Sequence, residues 1–150
     1  AALVTLSGQP EVSVKVTYSA DTFSLTGKWE GDEGGTFYCP LIIKVTGKVG
    51  NTVKTETINC AEKSSAAEIQ TAVQNAVAAC SATYAPNTDL STADVDQNSL
   101  KISWEWPFEG TANPGQTDAK DTYLGNQAAA GGLNVPAIHI PVTATVTQID

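Results

Sequence analysis

The chain has 150 residues, 41% of them hydrophobic, enough for one folded domain with its own core and too apolar for a disordered one. Eight lysines, no arginine and sixteen acidic residues give a net charge of -8. That balance excludes nucleic acid and an anionic membrane surface as partners, because both need clustered cations.

No apolar run approaches the ~20 residues of a membrane-spanning helix. The start Ala1-Ala2-Leu3 and the absence of Met read as what remains after a secretory signal is removed near small residues, a trimmed chain being the alternative. The expected location is therefore extracellular or at the cell surface. There is no N-x-S/T sequon.

Residues 1–7 (AALVTLS) are uncharged and mildly apolar, and Gly8-Gln9-Pro10 separates them from the next strand-like stretch. They read either as an ordinary first edge strand or as a strand given to a neighbouring subunit; composition alone favours the first. Residues 11–18 (EVSVKVTY) alternate Val12, Val14, Val16 and Tyr18 against Glu11, Ser13, Lys15 and Thr17, a strand with one wet face. Residues 21–30 form a second strand anchored by Phe23, Leu25 and Trp29, weakened by Gly27, before a turn at 31–35 (GDEGG).

Residues 36–46 and 52–59 flank Gly47-Lys48-Val49-Gly50-Asn51, a strand, a tight turn and a returning strand. A turn centred between Val49 and Gly50 places Cys39 and Cys60 ten residues to either side, directly opposed and within disulfide reach. The three cysteines match no zinc spacing, so a Cys39–Cys60 disulfide with Cys80 as a buried thiol is the expectation. Cys60–Cys80 is the alternative, hampered by an intervening helix ~20 Å long.

That helix is residues 64–80. Ser65 and Glu68 form a capping-box pattern, and Ile69, Ala72, Val73, Ala76, Val77 and Cys80 fall at steps of three and four on one stripe. Asn87, Asp89, Asp94, Asp96 and Asn98 make the next loop oxygen-rich, but they lack EF-hand order and read as a solvated loop.

The last third has the longest alternations. Leu100, Ile102, Trp104 and Trp106 alternate with Lys101, Ser103 and Glu105. Ile138, Ile140, Val142, Ala144 and Val146 alternate with His139, Pro141, Thr143, Thr145 and Thr147. Two long strands walling one core are predicted, with Asp118 and Asp121 between them as helix-start residues.

Catalytic chemistry is missing. The single histidine, His139, has no nucleophile or carboxylate nearby in sequence. No HExxH, GxSxG, P-loop or GxGxxG is present. Glu105 and Glu109 flank Trp106 as a sugar-cleaving pair would, but Glu105 lies on its strand's polar face. No enzyme activity, cofactor or metal is expected.

Three segments carry a family resemblance: Trp104-Glu105-Trp106-Pro107-Phe108-Glu109, then Asp121-Thr122-Tyr123-Leu124-Gly125-Asn126-Gln127-Ala128, then residues 140–150 (IPVTATVTQID). In this order they resemble the TasA/camelysin-like secreted fibre proteins, and the lack of Arg and Met is most like the archaeal bundling pilins of that type. The resemblance covers about fifty residues of the 150. It implies a jelly-roll sandwich, exported and polymerised head to tail into filaments, or bundles of them, by donor-strand exchange. The protease activity described for camelysin does not carry over, because no metal set or nucleophile accompanies the motifs.

With the resemblance, residues 1–9 become an N-terminal donor strand and residues 10–150 an all-β, jelly-roll-type β-sandwich with one amphipathic helix. Ala2, Leu3, Val4, Thr5 and Leu6 are the candidate subunit contact, with Leu3, Val4 and Leu6 as plugs. The expected partner is a second copy of the chain, and the expected role is a filament subunit of a biofilm matrix. The alternative is a monomeric secreted sandwich module binding carbohydrate, for example through Trp29 or Trp106.

Overall fold

The computed structural model describes residues 2–91, 98–107, 114–131 and 135–149. Its elements in chain order are β1 (Ala2–Thr5), β2 (Val14–Ser19), β3 (Ser24–Thr26), β4 (Ile42–Val49), β5 (Thr52–Asn59), a 3-10 turn (Cys60–Glu62), α1 (Ala66–Ala78), β6 (Ala82–Tyr84), β7 (Asn98–Glu105), α2 (Asp118–Ala130), β8 (Ala137–His139) and β9 (Thr143–Gln148). The chain is β-rich, with three antiparallel sheets ordered β1-β7-β4-β5, β6-β2-β9 and β3-β8. Among the described residues two α-helices are present rather than the one expected.

The sheets share one core. Val14, Val16 and Tyr18 of β2 meet Ile43 and Val45 of β4, Leu100 and Ile102 of β7, and the α1 stripe Ile69, Val73, Ala76 and Val77. α1 lies against both larger sheets, touching β2 on one side and β4 and β5 on the other. Its N-cap is as expected, Ser65 Oγ accepting from Glu68 N at 3.2 Å. The return bond of the capping box lands one residue earlier, with Ser64 N donating to Glu68 Oε2 at 2.8 Å. Gly47 on β4 lets the end of α1 approach closely: a Cβ there would sit 2.8 Å from both Cβ and Sγ of Cys80.

Several strands are shorter than their sequence patterns. Residues 21–30 keep only β3, because Gly27 turns the chain with φ of 80°. β4 begins at Ile42, beyond Pro40, whose missing N–H breaks a ladder. The final alternation is split: β8 pairs with β3, β9 pairs with β2, and Pro141 lies in the gap. It is two strands in two sheets. Beyond its acidic start, α2 gives no helical period in the sequence because it has no apolar stripe; Leu124 is its one buried residue, and the helix continues through Gly125. Asp118 and Asp121 do stand in its first turn, behind the N-cap Thr117.

The 42–59 hairpin turns one residue later than expected. Val49 faces Thr52, leaving Gly50-Asn51 as a two-residue loop, with Gly50 at φ of 57°. A glycine with positive φ at the first loop position suits a type II′ turn. No helix among the described residues is long and apolar enough to cross a membrane.

Candidate assembly interface

The N-terminal segment is the outer strand of the four-stranded sheet. Ala2, Leu3, Val4 and Thr5 face Ile102, Lys101, Leu100 and Ser99 of β7, and Leu6 N adds a bond to Asn98 O at 2.9 Å. Strand alternation sorts the five candidate residues into two sets. Ala2, Val4 and Leu6 pack against the core, whereas Leu3 and Thr5 point outward and Leu3 is 55% exposed. Leu3 is therefore not a plug in this arrangement; Val4 and Leu6 are, with Ala2 beside them.

The root of the segment is pinned. Gly8 adopts φ of 101°, which favours glycine. Its N–H donates to Ser91 Oγ at 2.9 Å and its carbonyl accepts from Leu90 N at 2.8 Å. Pro10 O accepts from Asn87 N at 2.7 Å, and Gln9 Nε2 donates to Asn87 O at 3.0 Å. The uncharged strand thus leaves the body from a fixed point, through a residue able to change direction at little cost.

The family-like segments converge elsewhere. Trp104 and Trp106 continue the inward face of β7 past the core, where they are 45% and 39% exposed rather than buried. With Trp29, Leu41, Leu124, Ala128 and Ile138 they line an apolar cavity of about 170 Å³. Trp29 itself is buried, its indole N–H donating to Thr26 O at 3.0 Å, so it offers no exposed ring for a ligand. Asp121 fixes α2 beneath this cavity: Tyr38 Oη donates to its Oδ1, and Gln116 Nε2 donates to its Oδ2 and to Pro107 O, both at 2.8 Å. Burial, and then the bond to Asp121, push the Tyr38 phenol well above its ordinary value. Asp121 is more than a helix-start charge. Its place at a helix start and in the family-like segment marked it in advance, but not this role; Tyr38 and Gln116 carried no signal.

Cys39 and Cys60 are both fully buried thiols, Cys60 Sγ reaching Ile58 O at 4.0 Å, and Cys80 is a third buried thiol near Gly47. The contact with Cys39 and burial raise the Cys60 thiol far above its usual value. The adjacency has a different origin from the one expected. In the observed register Ile42 faces Asn59, so Cys39 lies beyond the ladder. It is brought back by the 39–41 segment, where Leu41 O accepts from Cys60 N at 3.0 Å.

The remaining candidates are dispersed. His139 is exposed on β8, with Thr26 Oγ1 at 3.4 Å from its Nε2. Glu105 is exposed at the end of β7, and its supposed partner Glu109 lies outside the described residues. Of the oxygen-rich loop, Asp94 and Asp96 also lie outside them, while Asp89 Oδ1 accepts from Ser91 N at 2.9 Å. Asn98 is buried and structural: its Oδ1 accepts from Gly50 N at 3.0 Å and its Nδ2 donates to Leu90 O at 3.1 Å.

No protein-family model matches the chain, and no curated protein or solved structure is detectably similar to it.

Proposed function

We propose that the chain is the structural subunit of an extracellular filament, a pilus or biofilm-matrix fibre, polymerised head to tail by exchange of residues 1–9. The observation that carries this reading is the placement of β1: an uncharged edge strand whose ladder partner among the described residues is β7 alone, attached at a glycine hinge. The slot beside β7 is built by residues 98–105, so residues 2–6 of a neighbour fill it as well as the chain's own. Vacating it would bare an edge, which gives each copy a reason to accept a donor. In this reading residues 10–150 form a jelly-roll-type sandwich, the four- and three-stranded sheets being its walls. The likeness of residues 104–109, 121–128 and 140–150 to TasA/camelysin-like fibre proteins points the same way. Secretion, and a second copy as partner, belong to the same proposal.

Electron microscopy of the full chain beside a variant lacking residues 1–9 tests it. Filaments from the first and monomers from the second are expected; filaments from both refute strand exchange. A second reading, a monomeric carbohydrate-binding module, draws on the exposed rings of Trp104 and Trp106 beside the apolar cavity. Monomers from both chains, with glycan binding lost in Trp106→Ala, would favour it.

A further inference from the structure

Among the described residues the four-stranded sheet is open at both ends, and its ends match. β1 borders one side and β5 the other, with every neighbouring pair antiparallel. Strand directions therefore alternate, and β1 runs opposite to β5. A second copy carried across by simple translation would bring its β1 antiparallel to the first copy's β5, with both sheets presenting the same face inward.

The backbone groups at the two edges can be assigned from register. In a two-residue hairpin the residues flanking the loop form a hydrogen-bonded pair, and bonded and non-bonded pairs alternate from there. Val49 and Thr52 flank the loop, so Thr52, Lys54, Glu56 and Ile58 bond to β4. Val53, Thr55 and Thr57 then turn their N–H and C=O groups away from the sheet. On β1, Leu6 N bonds to Asn98 O, which places Leu6, Val4 and Ala2 on the β7 side and leaves Leu3 and Thr5 turned outward.

The space beside β5 also fits a strand. A groove of about 420 Å³ runs between β5 and α1, lined by Glu56, Ile58, Ala72, Asn75, Ala76 and Ala79 among others. The helix wall is mostly alanine, so α1 stands back from the sheet edge. Lys54, which would otherwise guard that edge, is drawn to the end of the helix, its Nζ donating to Ala79 O at 3.4 Å. Residues 52–57 are exposed throughout, and Val53 is 56% exposed, as Leu3 is on β1.

We propose that β5 and the α1 groove receive the β1 edge of a second copy, so that the four-stranded sheet continues from molecule to molecule. This rests on the self-assembly reading but names a different contact: strand exchange fills the slot beside β7, whereas this contact joins the outer edge of β1 to β5. The two surfaces differ, so the contact is heterologous, and because the relation between copies is close to a translation each added copy leaves an open edge and the contact propagates as a filament. Backbone pairing supplies the recognition, which requires no charge pattern.

The test uses two full-length variants, Leu3→Cys and Val53→Cys, whose new thiols lie on the outer face while the native ones are buried. They are mixed and treated with a short bismaleimide. The expected result is a mixed cross-linked dimer at least several-fold more abundant than dimers from either variant alone. Thr55→Pro in the Val53→Cys chain should abolish it: proline removes an outward N–H and blocks an incoming strand without breaking the pairing to β4. Asn75→Trp on the exposed side of α1 fills the groove by a separate route and should have the same effect, so a folding defect in one variant does not decide the matter. No mixed product, or a mixed product unchanged by either substitution in a folded chain, overturns the proposal. The readout does not depend on filaments. Filaments that disappear on deleting residues 1–9, without Leu3→Cys/Val53→Cys capture, refute this contact and leave strand exchange standing.

Discussion

Oxidation of Cys39 and Cys60 should lock the hairpin to the segment before it. Both thiols are buried, and the hydrogen bond from Cys60 N to Leu41 O holds their two segments side by side, so in an oxidising compartment the disulfide forms without moving the backbone far. A bridge from residue 39 to residue 60 closes a loop of 22 residues. Loop-closure entropy at that length is about -11 cal/mol/K, or about 3.4 kcal/mol at 25 °C. For a domain of this size, that corresponds to a Tm higher by about 7–14 °C in the oxidised chain. The assay is calorimetry with and without reductant, beside peptide mapping under non-reducing conditions, with Cys39→Ser as reference. Cys80 should label with iodoacetamide after unfolding, and Cys39 and Cys60 should not. Three labelled cysteines in chain secreted under oxidising conditions, or a Cys60–Cys80 peptide, would refute the reasoning.

Other parts of the structure give further tests. Asp121→Ala leaves the Tyr38 hydroxyl and Gln116 without their carboxylate; hydrogen bonds to a charged group contribute about 1.5–3 kcal/mol each, so for the two bonds a loss of up to about 3–6 kcal/mol is expected in urea unfolding. Asp121→Asn should recover part of it, and a change below about 0.5 kcal/mol for Asp121→Ala would contradict the clamp. Gly47→Ala should destabilise by about 1–3 kcal/mol, since its Cβ would meet Cys80 at 2.8 Å; stabilisation, as a generic Gly→Ala change gives, would refute the close approach. Burial pushes the Tyr18 phenol from 10.0 up to about 12, and its hydroxyl has no hydrogen-bond partner among the described residues. Because the folded value lies above the unfolded one, its contribution is complete below pH ~10 and is lost as pH rises through ~12, up to about 2.7 kcal/mol. Tyr18→Phe should flatten that alkaline loss and be no less stable at neutral pH; an unchanged alkaline slope would show that another group controls it.

How much of this was legible in the sequence depended on whether a residue's role was set locally. The α1 stripe and its Ser65 cap were readable because a helix in contact with one core repeats every three or four residues. β2 was readable because half its residues face water. α2 was not, since it buries Leu124 alone and is held by Asp121, Tyr38 and Gln116, contacts that no period reveals. Trp104 and Trp106 kept the right parity but passed the end of the core, and parity says which face a side chain takes, not whether anything covers it. Hairpin spacing brings Cys39 to Cys60 only on a register one residue out; the adjacency comes from a segment outside the ladder.

The hardest feature to read was the N-terminal strand, and its energetics explain why. Residues 2–6 make the same contacts with β7 whether they come from the same chain or from another, so contacts cannot choose between the two. What differs is concentration. A short tether gives the chain's own strand an effective concentration in the millimolar range, which a second copy rarely reaches in solution. Strand exchange therefore needs a contribution that the closed monomer lacks. The β1 edge meeting β5 and the α1 groove would be such a contribution, since it forms only between copies. If so, Thr55→Pro, far from residues 2–6, should shift the full chain from filaments toward folded monomers and raise the critical concentration for assembly at least tenfold. That corresponds to ~1.4 kcal/mol per subunit, about the net contribution of one or two backbone hydrogen bonds. An unchanged critical concentration in folded Thr55→Pro would mean that the bias toward exchange arises at the Gly8 hinge instead.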